Sequence, residues 1–257
     1  MHQAVCYEHP LNERIRSLLR LEFLFKQVNH AITGHSSWDS RTALQGLFDL
    51  LTLTGRTEFK RDLIKELERH GAILNRLRQT PGVNITTLDK VLAEIGAVVG
   101  QVHGLDNLAL EAVRQTDFLS AIYKRSQIPG GTCRFDLPAF YRWLRQEPSI
   151  RTAHLQEWLA PLLPLQQATT LFLRLIRDSA IFRSETAVQG FFQRGLDSSG
   201  APHQLIRILL PLGSPLFPEI SGSRHRFAIH FLEQPNPNRR AVQSSADIIF
   251  ELACCAI

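Results

Sequence analysis

After Phe182 the spacing of apolar residues changes from three- and four-residue steps to strict alternation, and a chain that does this must build helices first and strands second. That order predicts an α+β fold: a mainly α-helical bundle body with a smaller antiparallel β-strand domain. The helical domain is expected at residues 11–180. The β domain is expected to combine residues 1–10, an N-terminal strand over Gln3 to Tyr7, with the C-terminal strands of residues 181–257. With 257 residues and 44% hydrophobic content the chain can bury a real core.

In the first part, Leu11, Ile15, Leu18, Leu21, Phe25 and Val28 mark one face of a helix from Leu11 to Ile32. Arg16 and Arg20 lie four apart on another side, a repulsive pair that a carboxylate such as Glu13 would relieve. Helices are also expected at Arg41 to Thr52, at Glu58 to Gln79 with Pro81-Gly82 as its stop, and from a Thr86/Asp89 capping box to about Val102. Another is expected over Asn107 to Ser126. Gly96 and Gly100, four apart, are read as a close helix-packing site. Ile128-Pro129-Gly130-Gly131 predicts a type II turn. Asp136 is the expected N-cap of the next helix, with Pro138 in its first turn and Phe140, Trp143 and Leu144 on its inner side. His154 to Leu159 and Leu165 to Ala180 complete the helices.

Strands are expected at Thr186 to Gln193, His203 to Leu210, Arg224 to Leu232 and Asp247 to Cys254, with Glu233 to Ser245 as a mobile loop. The third is the most informative. In SRHRFAIHF, residues 223–231, alternation puts Arg224, Arg226, Ala228 and His230 on one face and His225, Phe227, Ile229 and Phe231 on the other. One face is apolar, and the other carries positive charge that a carboxylate or phosphate would relieve. A solvated face on a half-buried strand gives the same pattern.

The net charge of +5 and pI near 9.3 favour acidic partners, but the excess is spread along the chain rather than massed in a tail. The N-terminus has no basic-then-apolar signal pattern and no apolar run reaches membrane length, so a cytoplasmic protein with no membrane segment is expected. Cys6, Cys133, Cys254 and Cys255 lack metal-ligand spacing and are read as reduced, mostly buried thiols. HExxH, GxSxG, Rossmann and Walker patterns are all missing, which argues against an enzyme and implies no cofactor and no metal. Nucleic-acid binding is the competing reading, motivated by the pI, but no helix-turn-helix or RNP-like signal accompanies it.

Four blocks in order, EHPLNERIRSLLRLEFL (8–24), IPGGTCRFDLP (128–138), ISG with RFAI (220–229) and FELACC (250–255), make the chain resemble the ZapD family of bacterial cell-division proteins, which associate with the tubulin-like FtsZ. The resemblance covers essentially the whole chain. It implies a homodimer that binds the C-terminal peptide of FtsZ and bundles FtsZ filaments at the mid-cell division ring. On that basis Arg20 and Arg226, both inside matching blocks, are the first candidates for gripping the peptide, since an Arg fork holds a carboxylate bidentately. Arg224 and His230 follow as neighbours on the strand face, with Arg16 beside Arg20. Arg134, Tyr141 and Arg142 near the turn come next, and a solvated helix face accounts for most such residues. Arg56, Lys60 and Arg61 are read as solvated surface.

Overall fold

The computed structural model describes residues 4–55, 57–105, 107–197 and 200–256, which leaves Gln3 and Arg56 of the expectations above outside the described residues. Among the described residues are nine α-helices and eight β-strands, in the α+β arrangement that the change of period predicts. They divide into two compact units, one drawing on Met1–Leu19 and Leu173–Ile257, the other on Arg20–Phe172.

The helices are α1 (Glu13–Ile32), α2 (Ser37–Thr54), α3 (Thr57–Arg76), α4 (Ile85–His103), α5 (Asn107–Gln115), α6 (Asp117–Ser126), α7 (Pro138–Leu144), α8 (Pro148–Leu159) and α9 (Leu163–Asp178). All six apolar residues that mark the inner face of α1 are buried. Asn12 starts that helix, its side-chain oxygen accepting the Ile15 N–H at 2.9 Å. A Ser36/Asp39 capping box starts α2, and hydrogen bonds from Ser36 hold the Asp39 carboxyl below its usual range.

Several local expectations are corrected. The cap of α4 is Asn84, which accepts the Thr87 N–H at 3.0 Å; Thr86 is already inside the helix, and Asp89 pairs with Arg78 at 2.5 Å. The helix expected over Asn107 to Ser126 is two, because Thr116 takes an extended ψ of 117° while its hydroxyl bonds back to the Ala112 carbonyl. Leu137, not Asp136, precedes α7; Asp136 instead accepts from the Cys133 thiol and pairs with Arg125 at 3.7 Å. A Cβ added at Gly96 or Gly100 would meet nothing within 4 Å among the described residues, so the close packing expected there is absent. The type II turn is present: Gly130 has φ +72° and the Gly131 N–H donates to the Ile128 carbonyl at 2.9 Å.

His70 on α3 is 2% exposed, edge-on to the Phe172 ring at 5.0 Å, and its Nε2 has no hydrogen-bond partner among the described residues. Burial, helped by Arg69 and opposed by Glu66, pulls its pKa down to about 4. The folded chain therefore holds His70 neutral while the unfolded chain protonates it near pH 6.5. Its contribution to stability is complete above pH 6.5 and is lost as pH falls toward 4, at up to about 1.4 kcal/mol per pH unit. Replacing it with leucine should flatten the fall in unfolding free energy between pH 6.5 and 5, measured by denaturant titration at each pH.

The other unit is a pair of antiparallel sheets. One has the order β1-β4-β8-β2, from Ala4–Pro10, His203–Pro211, Ile248–Ala256 and Arg183–Ala187; the other has the order β3-β6-β5, from Phe191–Gly195, Arg226–Glu233 and Leu216–Gly222, with the short β7 (Val242–Gln243) beside β6. Their facing sides share one core: Ile206, Ile208 and Leu210 of β4 and Ile248, Phe250 and Leu252 of β8 meet Phe227, Ile229 and Phe231 of β6. The strand expected at Thr186 to Gln193 is in fact β2 and β3, one in each sheet. Gln189 (φ 49°) and Gly190 (φ 70°) make the turn between them, and a Cβ at Gly190 would collide with the Ser244 carbonyl oxygen. Neither β5, with Pro218 inside it, nor β7, inside the expected loop, is apparent from the sequence.

On the opposite face of β1 and β4, Glu8 accepts from Arg177 at 2.7 Å and from Arg207 at 3.0 Å, all three side chains about four-fifths buried. All four cysteines are free, but Cys6 is exposed, correcting the expectation for that thiol. Cys255 is buried, and burial pushes its thiol up to about 12, leaving it inert as a nucleophile.

Candidate functional site

Strand β6 places its side chains by alternation, as the sequence requires. Phe227, Ile229 and Phe231 are buried in the core between the sheets, while Arg226, Ala228 and His230 stand on the outer side. The apolar face is what fixes the basic one, because a shift of one residue would bury Arg226 and expose three large hydrophobic side chains.

Two members of the expected row do not belong to it. The Ser223 N–H donates to the Arg226 carbonyl at 2.9 Å and Gly222 pairs with Phe227, so Arg224 and His225 form the two-residue turn between β5 and β6. Both are exposed, and Arg224 Nε donates to His225 Nε2 at 2.9 Å. Alternation cannot extend through a turn where the chain reverses, so His225 is off the apolar face and Arg224 off the outer row.

His230 is half-buried and held in place. Gln243 Nε2 donates to the Gln189 carbonyl at 2.9 Å, leaving Gln243 Oε1 to accept, at 2.9 Å, the hydrogen that this network assigns to His230 Nδ1. The Phe191 ring lies 4.9 Å from the imidazole. In register across β5 stands Glu219.

Beside Arg226 opens a groove of ≈ 790 Å³ whose walls are Gln193, Arg194 and Gly195 of β3 and Ser221 and Gly222 of β5, with Ala228 between them. No carboxylate among the described residues lines it. Arg194 is neutralised at 2.6 Å by Glu185 and lies over the Phe192 ring at 5.1 Å, its pKa raised by the hydrogen bond it donates to that carboxylate. Arg226 is exposed and has no ion-pair partner among the described residues. A free guanidinium over an uncharged concavity can accept a carboxylate in two parallel hydrogen bonds. Arg194, Gly195 and Ser221 escape a reading of the sequence because β3 and β5 were not separable there; Gly190 is the one local signal of the turn that creates β3.

Arg16 lies in the same unit as Arg226 and pairs with Glu13 at 3.2 Å, the local partner that the spacing offered. Arg20, Arg134, Tyr141 and Arg142 belong to the helical unit, and all four are exposed. Arg20 lines a hollow of ≈ 350 Å³ with Phe23 and Leu24 of α1 and Asp49, Thr52 and Leu53 of α2. Near the type II turn, Arg41 is stacked on the Trp38 and Phe140 rings at 5.4 and 4.8 Å and donates to Thr132, so its charge serves the turn itself. Another hollow of ≈ 450 Å³, between Phe48, Leu51, Val113, Leu119 and Tyr123, contains Arg114, which is engaged by the Leu51 carbonyl at 2.6 Å and Glu111 at 3.6 Å. Lys60 donates to the Leu105 carbonyl beyond α4 at 2.8 Å, tying α3 to that segment, and Arg61 pairs locally with Glu58 at 3.4 Å.

Among the described residues no group of three or more His, Cys, Asp or Glu side chains could hold a metal ion, and no helix is long and apolar enough to cross a membrane.

Residues 19–230 match the family model for ZapD, described as a cell division protein. Three curated relatives carry the name cell division protein ZapD. The one from Methylococcus capsulatus is 39% identical over 257 residues, covering 100% of both chains. Those from Dechloromonas aromatica and Aromatoleum aromaticum are 36% and 35% identical, with 98% and 99% of this chain covered and 99% and 98% of theirs. A family match over residues 19–230, with identity of 35–39% over essentially the whole chain, places it in the ZapD family of cell division proteins.

Proposed function

We propose that this chain is a non-enzymatic adaptor of the division septum that captures the C-terminal tail of FtsZ on a basic surface. As a homodimer it would crosslink and bundle FtsZ filaments, promoting assembly and stability of the Z-ring from the cytoplasmic side at mid-cell. The observation that carries the reading is Arg226: an exposed guanidinium with no ion-pair partner among the described residues, at the mouth of a groove with no carboxylate in its lining. Its position on a strand whose opposite face is locked in the core keeps it pre-oriented, which lowers the entropy lost when an acidic segment docks.

Family membership supports the division role, and the four sequence blocks support FtsZ as the partner. A two-fold dimer duplicates the tail site, so one molecule can hold tails from two filaments. Many sites along each filament then act together, and weak single contacts yield firm bundles. A flexible tail pays ordering entropy on docking, so a single peptide should bind with a dissociation constant of micromolar order.

Co-sedimentation tests this reading. The protein should pellet with polymerised FtsZ and thicken its filaments, and both effects should vanish with FtsZ lacking its C-terminal tail. Equal bundling of tailless filaments, or a strictly monomeric protein by light scattering, would overturn it.

A further inference from the structure

We infer that the outer face of the β3-β6-β5 sheet is a trough for the main chain of an extended acidic polypeptide, with Gly195, Ala228 and Ser221 as its floor and Arg226 as the anchor for a carboxylate at one end. This rests on the reading above and adds the steric half of recognition to the charge half.

Outward side chains of neighbouring strands stand side by side and normally cover a sheet face with β-branched or aromatic groups. Here register sets Gln193 and Ser221 on either side of Ala228, and Gly195 opposite Arg226. Ala228 and Ser221 thus offer only a methyl and a hydroxymethyl group, with the Gln193 side chain at the β3 border of that row and a hydrogen at Gly195 in the next. Gly195 has no conformational reason to be glycine, since it is not among the positive-φ residues, and a Cβ placed there would meet nothing within 4 Å. By contrast, a Cβ at Gly222 would come to 3.0 Å from Leu11 and Phe227, a packing reason internal to the fold. At the end of β3, a glycine with open space above it among the described residues leaves room for the close approach of another backbone.

Width and charge select the occupant. A helix, about 10–12 Å across with its side chains, keeps its backbone behind those side chains and cannot lay main chain on this floor. An extended chain fits. Arg194 is in register with the inward-facing Phe227 and is neutralised by Glu185 on that side, so the uncompensated guanidinium of the outer face is that of Arg226.

The test uses full-length protein and a fluorescently labelled synthetic peptide of the FtsZ tail, read by anisotropy. Gly195→Leu and, separately, Ser221→Leu should each weaken binding at least tenfold by filling the trough, while the melting temperature and the salt dependence of the remaining binding stay as in the parent, because Arg226 is untouched. If Gly195→Leu does not fold, Ser221→Leu, at an exposed position on another strand, carries the test. Binding within twofold of the parent for the leucine variants, together with loss of binding in Arg226→Glu, would overturn the trough and leave the charge reading standing. Unchanged binding in all three variants would overturn both. Displacement of the peptide by a single-stranded oligonucleotide as readily as by unlabelled peptide would also overturn the trough, since a main-chain groove has no preference for bases.

Discussion

The Arg226→Glu protein should fold like the parent and fail to bind the FtsZ tail, with a loss of about 2–3 kcal/mol, roughly thirtyfold to 150-fold in affinity. The expected loss is large because the substitution removes an attractive contact and also places a like charge in front of the incoming carboxylate. The fold should not notice it. Arg226 is exposed, makes no ion pair among the described residues, and begins a strand held by Phe227, Ile229 and Phe231, all buried. Surface changes of this kind stay within about 0.5 kcal/mol. Filament bundling by light scattering should fall with peptide binding, and raising salt should weaken the parent far more than the variant. A variant that unfolds would mean that Arg226 supports the strand; one that binds normally would remove the groove from the function.

Arg151→Met should lower the stability of the helical unit by about 3–5 kcal/mol, the cost of leaving buried groups uncompensated. Arg151, on α8, is 5% exposed, and its guanidinium donates to the Ser40 hydroxyl at 2.9 Å, the Leu144 carbonyl at 3.2 Å, the His35 carbonyl at 2.6 Å and the Gln146 carbonyl. These acceptors come from the start of α2, the segment before it and the end of α7. Three are backbone carbonyls that lose their donor once the side chain is gone, and two lie at a helix C-terminus, where a cation is favoured. Lysine should not rescue the variant, because three donors on a flexible stem cannot reproduce the planar fork. Trp38, Trp143 and Trp158 all lie in the helical unit, so tryptophan fluorescence during denaturant unfolding reads that unit selectively. The midpoint should drop with an unchanged slope.

Arg151 also shows where reading a sequence stops. Nothing in PSIRTAHLQEWL separates it from a solvated arginine, since its four acceptors come from residues 5 to 116 positions away. The same holds for the Glu8, Arg177 and Arg207 cluster, brought together across 169 and 199 residues. Local signals fared best where a single interaction decides the conformation: the α1 apolar stripe, the turn at Gly130, the alternation from Arg226 to Phe231. They failed where two local solutions compete. Asn84 and Thr86 are both good caps, and the tertiary position of α4 selects the first. Arg224 reads as one more member of an alternating row, and only the hydrogen bond from Ser223 to Arg226 turns it into a hairpin corner.

What the sequence determined by itself was the α+β class, the inner face of each long amphipathic element, and the family, because periodicity and contiguous motifs are properties of neighbouring residues. The tertiary structure alone decided that Gln189-Gly190 splits one apparent strand between two sheets, that Gln193, Ala228 and Ser221 lie side by side with Gly195 opposite Arg226, and that Arg194 is neutralised while Arg226 has no ion-pair partner among the described residues. The β3–β6 pairing behind them joins residues 31 to 39 positions apart, and the energy that sets such pairing comes from burying Phe227, Ile229 and Phe231 against the facing sheet, a contribution that no local window contains.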